Sequence, residues 1–163
     1  MSTESAAEAY HPWSAFLNAC DEARRRGDRR VGTEHLLLGL LHEEGMARAL
    51  GVDLAAARAA LDGVDREALT AIGVGAYPEP AATPGTRPRR PGLRAVLRDR
   101  MPITATAKRV LQDTRPGMRP GHPIPVERLL LLALCELEPP DAAATLLGHL
   151  GVDRTQVRST AAA

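Results

Sequence analysis

Leucines recur along this chain at the spacing of a helix face, and hydroxyl- or carboxylate-bearing residues stand where each leucine run begins. In the first half Trp13, Phe16, Leu17 and Cys20 share one face up to Gly27. Thr33 reads as the N-cap of a helix from Glu34 to about Glu43, stopped by Gly45. A short helix over Met46–Leu50 ends at Gly51. Asp53 then caps Leu54–Leu61, whose apolar face is Leu54, Ala57, Ala60 and Leu61, and Asp65–Ile72 adds a further turn or two. Leu36, Leu37, Leu40 and Leu41 are expected to pack against Leu54, Leu61 and the opening helix.

The second half repeats the plan. Thr104 caps a helix through Ala107, Val110 and Leu111, which the prolines and glycines of "RPGMRPGHPIP" end. Pro125 opens a helix Val126–Leu137, Asp141 starts another that ends near Gly148–Gly151, and Asp153 caps the last. Glu34 lines up with Glu127, and "LGVD" at Leu50–Asp53 with "LGVD" at Leu150–Asp153. The two offsets differ, so a length change lies between the anchors; a third helix of little more than one turn is expected in the first half. Strand patterns are missing. The predicted fold is all-α, with two pseudo-symmetric four-helix repeats packed as one bundle. The organisation is a tail over 1–12, a first repeat over 13–72, a linker over 73–92 and a degenerate second repeat over 93–163. The linker, "GVGAYPEPAATPGTRPRRPG", is dense in Pro and Gly, and its Arg87, Arg89 and Arg90 read as a solvated cluster.

Composition narrows the function. A chain of 163 residues makes one domain or two halves sharing a core. A net charge of +1 gives no field toward nucleic acid or anionic membrane, and 2% aromatics leave little to stack bases on. Cys20 and Cys135 fall in apolar helical patterns and read as buried, reduced thiols; neither has metal-ligand spacing around it. The N-terminus lacks the pattern of a secretory signal, and "LLLLALC" is far too short to span a membrane, so a cytoplasmic protein is expected. No cofactor or metal is expected.

The stretch "EARRRGDRRVGTEHLLLGLLHEEG" followed by "ALGVD" resembles the Clp N-terminal repeat domain, which precedes the ATPase modules of ClpA- and ClpC-type unfoldases. The family's signature, Gly-Thr-Glu-His followed by leucines, is met in the first repeat. "PVERLLLLAL" stands in its place in the second, where "TATAKRVL" is similar to the family's opening helix. The resemblance covers roughly 13 to 160 and implies a pair of four-helix repeats. No phosphate-binding loop occurs in the sequence, so a binding domain without its motor is expected.

The resemblance also implies a site. ClpC-type relatives can hold a phosphorylated arginine in each repeat, the signature Glu pairing with the guanidinium and a Thr at the first helix start meeting the phosphate. This implies Thr104 and Glu127 in the second repeat and Glu34 in the first, where no Thr stands near Ala9–His11. A charge-assisted carboxylate–guanidinium pair and an anion at a helix N-terminus are sound chemistry. Helix capping alone accounts for the same residues. His35 reads as a packing or hydrogen-bonding histidine, and "HLLLGLLHE" lacks the spacing of a zinc helix. Relatives receive cyclic-peptide antibiotics near the second repeat's start, commonly through an aromatic residue; here Ile103 precedes Thr104.

The implied function is a non-enzymatic, monomeric interaction module that binds Clp ATPases, adaptors or degradation substrates, arginine-phosphorylated ones among them, as adaptor, competitor or decoy. The alternative is a small-molecule or peptide-antibiotic binder, with Cys135 and Leu129–Leu134 facing a pocket.

Overall fold

The computed structural model describes residues 14–74, 101–119 and 121–162. The tail over 1–12, Trp13, most of the linker including Arg87, Arg89 and Arg90, and the start of the second repeat lie outside the described residues. Eight α-helices follow in order among the described residues: α1 (Ser14–Arg26), α2 (Thr33–Leu40), α3 (Glu44–Leu50), α4 (Leu54–Ala71), α5 (Ala105–Asp113), α6 (Val126–Cys135), α7 (Ala142–His149) and α8 (Arg154–Ala162). A 3-10 turn, Arg115–Met118, joins α5 to the α6 approach. No strand occurs among the described residues, whose one β-bridge pairs Val31 with Ile103 in parallel. The all-α bundle is as the leucine spacing predicts.

Helix starts follow their caps. Asp53 accepts from Ala56 N–H at 2.7 Å, Thr104 from Ala107 N–H at 3.3 Å, Asp141 from Ala143 N–H at 2.9 Å, and Asp153 from Thr155 N–H at 2.9 Å. The two "LGVD" segments make the same turn. Gly51 and Gly151 adopt φ of 67° and 65°, a region open to glycine, and the next residue's N–H closes back on the helix.

The centre is α2, buried on nearly every side and packed by α1, α4, α5, α6 and α7. Leu36, Leu37, Leu38 and Leu40 are fully buried, and Leu41, Leu61 and half-buried Leu54 join the same core. Helix α1 lies directly on α2 because Gly39 has no side chain; a Cβ there would stand 2.2 Å from the Ala15 carbonyl oxygen. Helix α3 packs on α8 and α4 on α7, so the third helix of each half meets the fourth of the other.

Three expectations change. Helix α4 runs unbroken through Gly63 to Ala71. An interior glycine costs only about 1 kcal/mol, and Arg26 of α1 binds Asp62 and Asp65 on either side of it. The third helices are nearly equal, 7 residues in α3 and 8 in α7. The length change is shared between the longer second helix of the second half and the connection before the third helix, Leu41–Glu43 against Glu136–Asp141, where consecutive prolines bar a helix. Helices α2 and α6 stop at Leu40 and Cys135, short of Glu43 and Leu137.

Candidate functional site

Two helix starts carry the candidate residues. At the first, Val31 N–H donates to the Pro102 carbonyl at 2.8 Å and Thr104 N–H donates to the Val31 carbonyl at 3.0 Å. This register sets Gly32 alongside Thr104. Thr104 therefore caps α5 while pinned to the stretch that leads into Glu34. The family resemblance pairs Thr104 with Glu127; the backbone also sets Thr104 beside the stretch that leads into Glu34.

The N-cap of α2 is Gly32, in extended geometry, and Thr33 is the first helical residue. The expected Thr33 cap is thus displaced by one position. The Thr33 hydroxyl is buried and serves another helix, donating to Asp141 Oδ1 at 2.8 Å and accepting from Ala143 N–H at 3.3 Å at the start of α7. Gly32 has no side chain to cap with, and His35 supplies the partner: its Nδ1 accepts the Gly32 N–H at 3.0 Å. The bare Gly32 also makes room for Glu34, whose two carboxylate oxygens lie 2.3 Å from where a Cβ would be.

His35 is buried, as a hydrogen-bonding histidine should be. Its Nε2 lies 2.9 Å from Asp28 Oδ2 and its Nδ1 3.0 Å from Glu34 Oε1. Burial pushes its pKa down, but the Glu34 and Asp28 carboxylates outweigh that and hold it above the ordinary value. Arg26 donates to the same Asp28 oxygen at 3.1 Å.

The second start is plainer. Pro125 precedes α6 with no side-chain cap, and half-buried Glu127 occupies the first turn. Glu43, from the connection between α2 and α3, is its electrostatic neighbour; burial and then the Glu127 charge push the Glu43 carboxyl up. Glu43 Oε2 is buried and, among the described residues, is the one buried side-chain oxygen or nitrogen without a hydrogen-bond partner.

Sequence reasoning missed the ion pairs beneath these starts. Glu22 of α1 is 2% exposed and meets both Arg58 of α4 and His42 Nε2, the latter at 2.7 Å. Burial pushes its pKa up, yet the hydrogen bonds from His42 and Arg58 and the Arg58 charge prevail and lower it to about 2. The signal was in the spacing: Glu22 shares the buried face of Ala15, Ala19 and Ala23.

Cys20 and Cys135 are free and buried. Leu130, Leu131, Leu134 and Cys135 belong to the core, so a pocket faced by Cys135 and the Leu129–Leu134 run is not what this helix builds. A shallow open groove, lined by Pro139, Ala144, Thr145, Gly148 and His149, contains none of the candidate residues. No trio of His, Cys, Asp or Glu arranged to hold a metal, and no helix long and apolar enough to cross a membrane, occurs among the described residues.

The family described as the Clp repeat (R) N-terminal domain matches residues 11–120. Over 151 residues the chain is 35% identical to the protein named "Chaperone protein ClpC, chloroplastic" of Pisum sativum, covering 88% of this chain and 13% of that protein. It is 36% identical over 151 residues to the protein named "ATP-dependent Clp protease ATP-binding subunit ClpA homolog" of Guillardia theta, covering 88% of this chain and 15% of that one. The chain thus spans a small fraction of the length of either relative.

Proposed function

This chain belongs to the Clp repeat N-terminal domain family, and from that premise we propose that it is a protein-interaction module of Clp-type proteolysis that takes arginine-phosphorylated segments at the junction of its two halves. Thr104 and the first turn of α5 receive the phosphate, Glu34 receives the guanidinium, and Glu127 offers a second carboxylate at the start of α6. Its partners are Clp ATPases, their adaptors or their degradation substrates.

One observation carries the reading: the parallel pairing of Val31 with Ile103, which sets a hydroxyl-capped helix start beside Gly32, over which the Glu34 carboxylate lies. A helix N-terminus favours an anion by about 0.3–1 kcal/mol. A hydrogen bond to a charged group adds about 1.5–3 kcal/mol. A group carrying both charges, joined through one nitrogen, satisfies both partners at once.

Titration with a phosphoarginine peptide, and with the same peptide unphosphorylated, tests this. Wild type should prefer the phosphorylated form, and Glu34→Gln should weaken it by ~10-fold or more, the worth of one charge-assisted bond. Thr104→Val should lose less, and Glu127→Gln should fall between wild type and Glu34→Gln. Equal affinity for the two peptides, or no binding to wild type, would overturn the reading.

A further inference from the structure

Resting on the site reading above, we propose that His35 is the positioning residue of the Glu34 carboxylate: a proton on its Nδ1 ties up one oxygen of the Glu34 carboxylate where it lies over Gly32, loss of that proton leaves that oxygen to a guanidinium, and capture of a guanidinium therefore expels one proton to solvent.

His35 Nδ1 has two neighbours, the Gly32 N–H at 3.0 Å and Glu34 Oε1 at 3.0 Å. Without a proton, Nδ1 accepts from Gly32 and turns its lone pair on the carboxylate, which repels it. With a proton, Nδ1 donates to Glu34 and can no longer accept from Gly32. One atom cannot serve both neighbours in the same state. The other ring nitrogen keeps its proton throughout, because Asp28 Oδ2 lies 2.9 Å from Nε2.

The surrounding charges leave this choice to Nδ1. Asp28 is itself held by Arg26, which also binds Asp62 and Asp65 of α4. On α1, Glu22 is taken up by His42 and Arg58. At the start of α7, Asp141 is engaged by the Thr33 hydroxyl and its own helix. The charged residues of α5, Lys108 and Arg109, are exposed, and Glu127 and Arg128 of α6 are half-buried at the other helix start. A guanidinium that takes Glu34 removes the acceptor of the Nδ1 proton and brings a positive charge toward it. Both effects discharge the ring. Binding should strengthen as pH rises, by at most ~10-fold per pH unit for one linked proton.

Two measurements test this. The first uses the free protein: a nitrogen-15 NMR titration of the His35 ring in wild type and Glu34→Gln. The His35 midpoint should be lower in Glu34→Gln, and identical midpoints would overturn the inference. The second is calorimetric titration of a phosphoarginine peptide from pH 6.5 to 8.5, in paired buffers of different ionisation enthalpy. Wild type should gain several-fold in affinity across that range and release protons at its acid end. His35→Asn, whose Oδ1 can accept from Gly32 and never donates to Glu34, should show neither. Tight but pH-independent wild-type binding would overturn the role of His35 and leave the site reading standing. Absence of binding at every pH would overturn the site reading and this inference with it. Should His35→Asn fail to fold, the comparison of wild type with Glu34→Gln still decides, since it needs no change at His35.

Discussion

The two helix starts align residue for residue and are built by opposite means. Thr33, Glu34, His35 and Gly39 of α2 stand where α6 has Val126, Glu127, Arg128 and Leu132. The first start is tied by side-chain hydrogen bonds to two other segments, the α1–α2 loop through Asp28 and the α7 start through Asp141, and to its own N-cap through His35. The second has a prolyl N-cap without a side-chain bond and holds its place with Val126, Leu130, Leu131 and Leu134. Helix α2 sits at the centre, where polar backbone ends have no water to turn to and must be met by side chains. Helix α6 is half-buried along its other face and meets fewer such demands. Among the polar residues only the glutamate is common to both, and it faces different company: a histidine in one, a second glutamate in the other.

The sharpest way to break this contrast is at Gly39. Gly39→Ala pushes a methyl into the Ala15 carbonyl and the Ala19 backbone nitrogen, so α1 must lift from α2. Destabilisation of about 3 kcal/mol is expected, at the upper end for overpacking. Leu132→Ala, at the matching position on a half-buried face, should cost about 1–2 kcal/mol, below the range of a fully buried leucine. Chemical denaturation of the two variants reads both values, and equal losses would erase the distinction between the two helix pairs.

The next largest effect belongs to Glu22. Glu22→Gln leaves Arg58 and His42 without their carboxylate and should cost about 2 kcal/mol, less than a fully buried pair because both partners are about a third exposed. Its pH dependence has a definite sign. The folded pKa is lowered from 4.5 to about 2. The stabilisation is therefore complete above the unfolded value and lost as pH falls through that window toward 2. Thermal melts of wild type should drop across it more steeply than those of Glu22→Gln; parallel curves would remove Glu22 from the account.

Smallest is the exchange of Thr33 for the residue its counterpart uses. Thr33→Val keeps the shape and removes the hydroxyl from Asp141 and Ala143, for a loss of about 1 kcal/mol. Val126→Thr places a hydroxyl at the apolar start and should also destabilise. A stabilised Val126→Thr variant would show that the second start has an unused partner.

What the sequence made legible was local. Asp53, Thr104, Asp141 and Asp153 cap the helices they precede, and Gly51 and Gly151 end theirs, because each of these devices acts within a turn of its own position. The readings that missed concern partners far along the chain. Thr33 looked like a cap for α2 and is a tie to Asp141. Asp65–Ile72 read as a further turn or two after Leu61, whereas α4 continues unbroken and Arg26 of α1 binds it through Asp62 and Asp65. Glu34 was identified from the family signature, but its closeness to Thr104 follows only from the bridge between Val31 and Ile103. Glu43 gave no signal at all, since its environment is made by the turn after α2 and a helix from the other half.

The bond from Thr33 to Asp141 also sets a timetable. A chain made from its N-terminus has α1 to α4 in hand long before Asp141 exists. Until then α2 lacks the helices that cover its remaining sides, and its leucines stay open to solvent or to a holding chaperone. Folding must wait for the last third of the chain, and its rate will be governed by a few contacts closed over long stretches of sequence. The same dependence runs in reverse: pulling α7 away uncovers the centre of the first half, so the halves should come apart and unfold in one transition.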